Sequence, residues 1–262
     1  MYLRESLNDV MKMNFRVILL IAFLFCTKAG IAQDHSRWRT NEDTFALRYD
    51  LSHLFITDTV YGNNGVFGDE YGRLQIVLTS VKKDTVNPLR YNVTGASRHM
   101  KNVTPFKGFI ELVIIYEYPG NYEIYREDAD EIEAKIHPGE PMRVYTITNG
   151  NFEFYEDRTK KFSGVFSGNF MLKFHRVEGD ELVNDLQEWE NIRYSNNTFK
   201  GNWRPYTSTK SFPVAWGEGR IPVKEGIDIG DEEFEIAPRY KRHGWQKNTA
   251  GEFIDNPEFW WK

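Results

Sequence analysis

From Phe162 to His175 the chain alternates without interruption. Phe162, Gly164, Phe166, Gly168, Phe170, Leu172 and Phe174 occupy the even positions, and Ser163, Val165, Ser167, Asn169, Met171, Lys173 and His175 the odd ones. Period-two patterning puts the even set on one face of a β-strand and the odd set on the other. The even face is apolar and belongs inside. A strand of that length spans roughly 40 Å at about 3.3 Å per residue, so it must bend, and Gly164 and Gly168 lie on the face where it would do so. Long bent strands belong to barrels and curled sandwiches.

Other segments agree. Strands are expected at 54–61, 73–81, 89–95 and 106–118, with weaker candidates at 191–194, 198–207, 211–216 and 219–223. In 106–118, Ile110, Leu112, Ile114 and Tyr116 share one face. Asn149-Gly150 is the preferred pair for a type I′ hairpin turn, which would set Ile147 against Phe152, Tyr145 against Phe154 and Arg143 against Glu156. A second turn near Asp157–Lys160 would lead into the long strand, making 143–175 a three-stranded meander. Short helices are expected at Asp128–Lys135 and Asp180–Trp189. The expectation is a mainly β chain: an antiparallel barrel or curled sandwich of about ten to twelve strands with two or three short helices.

A phrase of Phe, any residue, Gly, any residue, bulky apolar recurs as Phe106-Lys-Gly108-Phe-Ile110, Phe162-Ser-Gly164-Val-Phe166, Phe166-Ser-Gly168-Asn-Phe170 and Phe199-Lys-Gly201-Asn-Trp203. Each puts an inward glycine between two large side chains. The gap is filled by a neighbouring aromatic in a dense core or entered by a ligand in an open one.

The N-terminal segment bears on location. Arg16, the apolar run Val17–Cys26 and the small residues Gly30 and Ala32 form a secretory signal, with cleavage expected after Ala32 and a true start possible at Met13. The apolar run is too short to cross a ~30 Å hydrocarbon layer. The domains expected are a signal peptide over 1–32 and a single β-rich domain over 33–262, working outside the cytoplasm, periplasmic or secreted. The sole cysteine, Cys26, leaves with the signal, so the mature chain has no disulfide, thiolate or cysteine metal site. The formal net charge is −5, without a strongly basic segment, which argues against nucleic acid as a partner.

No H-E-x-x-H, G-x-S-x-G or phosphate-binding glycine loop occurs. A carboxylate pair for glycoside hydrolysis is always available among so many Asp and Glu residues, so their abundance selects nothing. The acidic run at Asp228–Glu235 lacks the spacing of a calcium loop. No metal and no cofactor are expected. The stretch from Thr198 gathers Trp203, Arg204, Tyr206, Trp216 and Arg220. Rings beside charged donors suit a sugar-binding surface, and the same rings suit an aromatic core.

The run FKGNW…AWGEGRIP…DIGDEEF…PRY…GW, within 198–262, resembles the C-terminal part of an uncharacterised exported family of Bacteroidota, and the signal ending AGIAQ is similar to exported proteins of that phylum. The resemblance implies export and a β-rich fold, and assigns no activity. The function expected is an exported, non-catalytic β-rich binding module for a glycan or a small apolar ligand. Its alternatives are a carbohydrate-active enzyme with a carboxylate pair and a structural or assembly component of the envelope.

Overall fold

A computed structural model describes residues 38–56, 63–118, 122–128, 131–136, 144–185, 195–223, 226–230, 235–245 and 260–261. The signal segment, positions 57–61 of the strand expected at 54–61 and the candidate at 191–194 lie outside the described residues; Leu54 and Phe55 of that expected strand are helical instead. Two helices, α1 (Glu42–Arg48) and α2 (Ser52–Phe55), precede the sheet. The strands are β1 (Asn63–Phe67), β2 (Gly72–Lys83), β3 (Arg90–His99), β4 (Asn102–Tyr118), β5 (Tyr122–Asp128), β6 (Glu131–Ile136), β7 (Val144–Glu156), β8 (Gly164–Arg176), β9 (Leu182–Asn184), β10 (Ser195–Pro205) and β11 (Phe212–Gly219).

The antiparallel order β10-β11-β1-β2-β3-β4-β7-β8 closes on itself through a β8–β10 ladder, giving an eight-stranded barrel. β9 adds an extra strand beside the far end of β8, and β5 and β6 pair separately. The expected antiparallel barrel is therefore present, but its sheet holds fewer strands than ten to twelve. Successive barrel strands are neighbours throughout, so it is an up-and-down barrel with no open edge in the ring.

β8 follows the sequence pattern closely. Phe166, Phe170, Leu172 and Phe174 are buried, whereas Asn169 is exposed. Gly168 stands opposite Gly201 on β10. A Cβ on Gly168 would lie 2.1 Å from the Lys200 carbonyl oxygen, and one on Gly201 would lie 2.1 Å from that of Ser167. The strands thus approach too closely there for any side chain. At Gly164 a Cβ would meet the Arg204 carbonyl oxygen at 2.3 Å and the Trp203 indole at 2.7 Å, so backbone and ring together fill that gap. The recurring phrase thus marks close approach of a partner strand's backbone at Gly108, Gly168 and Gly201, with a ring beside the glycine at Gly164.

Three local expectations need correction. Asn149-Gly150 makes no turn: β7 runs through it, paired with β4 at Leu112↔Gly150 and with β8 at Gly150↔Phe170. Neither residue has a positive φ; the glycine is required because a Cβ would lie 2.0 Å from the Glu111 carbonyl oxygen. The true hairpin is the later one, at Asp157–Ser163. Asp128–Lys135 is no helix. It belongs to the β5–β6 hairpin, where Glu131, Glu133 and Lys135 alternate with Ile132, Ala134 and Ile136. An isolated segment that short gains little as a helix in water. Asp180–Trp189 opens as a 3-10 turn and the strand β9; Leu186 and Trp189 lie outside the described residues.

β4 also changes face midway. A bulge between Leu112 and Ile114 leaves Val113 outside, so Ile110, Leu112 and Ile115 point inward and Ile114 does not join them. One inserted residue reverses the alternation beyond it.

The barrel interior is filled. Phe106, Phe152, Phe154, Phe166, Phe170, Phe199, Trp203 and Trp216 belong to one core cluster with the helices' Phe45, Leu51, Leu54 and Phe55. Asn41 caps α1, its side-chain oxygen accepting from Thr44 N at 2.8 Å. The Lys83 ammonium donates to the Ala46 and Tyr49 carbonyls at the C-terminal end of that helix. Leu51 N donates to the Tyr91 hydroxyl at 3.1 Å, and Asn197 Nδ2 donates to the Phe55 carbonyl at 3.2 Å. The helices are thereby seated over one end of the barrel. Outside the wall, Val66 and Ala215 are covered by Ile221, Ile227, Ile236 and Trp245, a second small core held by Trp245 Nε1 donating to the Tyr71 carbonyl at 2.8 Å.

Candidate functional site

Four tight turns ring the barrel end opposite the helices: 68–71, 100–101, 157–163 and 206–211. Just inside lies Glu156, the last residue of β7 and only 5% exposed. Its carboxylate accepts hydrogen bonds from the Ser97 hydroxyl on β3, from Gly164 N on β8 at 2.8 Å and from Trp203 Nε1 on β10 at 2.9 Å. The Tyr206 hydroxyl donates to the Glu156 carbonyl at 2.9 Å. Burial pushes the carboxyl above its ordinary range, and the three donors partly offset that. Phe67 closes the opening, stacked on His99 at 4.3 Å and on Phe212 at 5.5 Å, with Trp203 edge-on at 5.2 Å.

Two of the five residues singled out in the sequence, Trp203 and Tyr206, thus meet at Glu156. Trp216 sits in the middle of the core at 0% exposure, parallel to Phe199 at 5.0 Å and edge-on to Phe152 at 5.1 Å. Arg204 points outward from β10 and is exposed. Arg220 pairs with Asp228 beyond the end of β11 and also donates to the Gly230 carbonyl at 3.2 Å. Trp203 and Trp216 are buried, so the three rings share no exposed face. Asp228 further accepts from Gly230 N at 3.1 Å and Glu235 N at 3.0 Å, which makes it a loop fastener.

Among the described residues, Glu218 on β11 is the other carboxyl raised by burial. It lies six residues beyond Phe212, which pairs with Trp203 at the Glu156 end. At about 3.3 Å per residue that places it roughly 20 Å away along the barrel, against the ~5–10 Å between the carboxyls of glycosidases. Among the described residues no three His, Cys, Asp or Glu side chains gather as a metal site.

The wall offers a different surface. An open trough of about 420 Å³ is lined by residues of β2, β3, β4 and β7. Strand registers arrange the outward-facing ones in two rows: Lys82, Asn92 and Phe109, with Glu153 next in register beyond Phe109, then Ser80, Thr94, Lys107 and Tyr155. Four strands at about 4.8 Å spacing make the rows about 14 Å wide. The Arg90 guanidinium lies 4.1 Å from the Phe109 ring centroid and is itself held by Glu111 at 3.0 Å, which fixes the ring. The Tyr155 hydroxyl donates to Glu153. Lys82 and Lys107 are exposed and have no ion-pair partner among the described residues.

Nothing in the sequence brought these side chains forward, since they are spread from 80 to 155. The available signal was the polar set of alternate positions on each strand. No protein-family model, curated protein or solved structure matches the chain. Among the described residues no helix is long and apolar enough to cross a membrane.

Proposed function

We propose that the chain is an exported, non-catalytic β-barrel binding module that takes a glycan on its outer wall. The observation that carries this is the filled interior. Where a small-molecule barrel keeps a cavity, this one has Trp216 among Phe152, Phe166 and Phe199. A small apolar ligand would have to displace that core, so recognition belongs outside. The trough supplies what a sugar needs: the half-buried Phe109 ring, over which Arg90 lies, the exposed Tyr155 ring, the amide of Asn92, the hydroxyls of Ser80 and Thr94, and two ammonium groups.

Non-catalysis is supported by Glu156. A carboxylate saturated by three protein donors is a fastener, and it has no second carboxylate at glycosidase distance in Glu218. Export is supported by the signal pattern of 13–32. The outer wall carries Lys82, Lys107, Glu111, Glu153 and Asn169 while the inner face is apolar, the reverse of a barrel that faces lipid.

The test is calorimetric titration of the folded protein with a series of neutral and acidic oligosaccharides, repeated with Phe109→Ala. Saturable binding by the wild type that the variant loses supports the reading. Full folding with no oligosaccharide bound would leave the structural or assembly role ahead.

A further inference from the structure

Two turn residues at the barrel end opposite the helices violate ordinary turn chemistry in the same way. Met100 in the β3–β4 turn has φ 55°, and Phe162 in the β7–β8 turn has φ 58°. That left-handed region suits Gly, Asn or Asp and is costly for bulky side chains. Tyr71 has a similar φ but is rewarded by packing edge-on against Tyr240. Phe162 gains nothing comparable: it is 75% exposed. Met100 touches the chain near Gly244, yet is 56% exposed. Both tips therefore hold a large apolar group out toward solvent, on hairpins whose strands β4 and β7 are paired.

The charged residues that flank the two apolar tips in sequence are basic. Lys101 follows Met100, and Lys160 and Lys161 precede Phe162; all three are exposed and have no ion-pair partner among the described residues. The nearby Asp157 is occupied within its own turn by Thr159 N and the Thr159 hydroxyl. The acidic pair Asp69-Glu70 belongs to the β1–β2 turn, which neighbours the Met100 turn because β2 pairs with β3 at Leu74↔His99; there Glu70 faces His243 at 3.9 Å, and the pair is not on the tips themselves. Apolar tips flanked by lysines match a lipid surface, where the tips enter the interface and the lysines stay with anionic headgroups.

We propose that the β3–β4 and β7–β8 turns dock this barrel on an anionic membrane surface. This inference is independent of the glycan reading, since it uses another face.

The test is co-sedimentation of the whole mature chain with phosphatidylcholine vesicles containing about 30% phosphatidylglycerol, and with phosphatidylcholine alone. The wild type should partition to the anionic vesicles only and be released near 1 M salt, where the Debye length is about 3 Å. Met100→Asn with Phe162→Asn should lower partitioning about tenfold with an unchanged or higher Tm, because Asn accepts the turn conformation. Lys160→Gln with Lys161→Gln, which leaves the backbone alone, should lower it by a similar factor. A wild type that stays in the supernatant, or variants that partition as it does, would overturn the proposal. So would self-association on gel filtration that the Asn variant abolishes, which would assign the tips to a second copy.

Discussion

Trp203 Nε1 donates to Glu156 Oε2 at 2.9 Å, joining β10 to β7 across the strand β8 that lies between them. With Ser97 from β3 and Gly164 from β8, four strands converge on one carboxylate at the barrel end opposite α1 and α2. A carboxylate this deep costs less than an unpaired charge only because its donors are held for it.

The pH dependence of stability should carry this signature. The folded pKa of Glu156 is raised above the ordinary 4.5, so the folded state holds a proton that the unfolded chain releases. Its contribution is fully present below pH 4.5 and is lost as the pH rises through the folded value. Glu156→Gln abolishes that titration, so the variant's stability deficit should narrow as pH rises above 4.5, measured by urea melts across pH. A deficit that widens would mean the carboxylate is stabilising when charged.

Asp84 should behave oppositely. Its carboxylate accepts from Val86 N at 2.8 Å, Asn87 N at 2.9 Å and Asn92 Nδ2 at 2.8 Å, which holds its pKa down to about 2. Stability from this turn is present above the unfolded value of 3.8 and is lost as pH falls through about 2. NMR titration of the side-chain carboxyl should find a midpoint near 2; a midpoint near 3.8 would mean the turn is not held this way.

Two-sided mutation of β8 should show one-sided burial. Phe166→Ala and Phe170→Ala should each cost about 3–5 kcal/mol, and Asn169→Ala about 0.5 kcal/mol or less, by denaturant melts. Gly201→Ala should destabilise strongly despite adding only a methyl group, because its Cβ would lie 2.1 Å from the Ser167 carbonyl oxygen.

Export has a direct test. Mature protein from the native host should begin at Gln33 by N-terminal sequencing or intact mass. Cytoplasmic protein retaining Met1 or Met13 would contradict it.

Period-two alternation made β8 legible, because a strand buried on one face writes its burial into every second residue. It made β4 legible only as far as Leu112: the bulge at Val113 depends on pairing with β7, which local sequence does not encode. Asn149-Gly150 misled for a related reason. A glycine admitting a partner strand's carbonyl is identical in sequence to one that makes a turn. Trp203 and Tyr206 were visible as aromatic residues, but their partner Glu156 is 47 positions from Trp203, and only barrel closure brings them together. Phe109 and Tyr155 were hidden by the same non-local pairing.

The outer-wall reading rests on one contrast between an outside ring and an inside ring. Phe109→Ala should weaken oligosaccharide binding by about 1–3 kcal/mol, by analogy with base stacking on aromatic rings, while costing less stability than a core ring because Phe109 is only half-buried. Trp216→Ala should cost about 3–5 kcal/mol of stability and, under conditions where it remains folded, leave affinity as it was. Calorimetric titration of wild type and both variants decides between them. Loss of binding confined to Phe109→Ala is the expected result. Loss confined to Trp216→Ala, with Phe109→Ala binding like wild type, would place the ligand inside the barrel and contradict it.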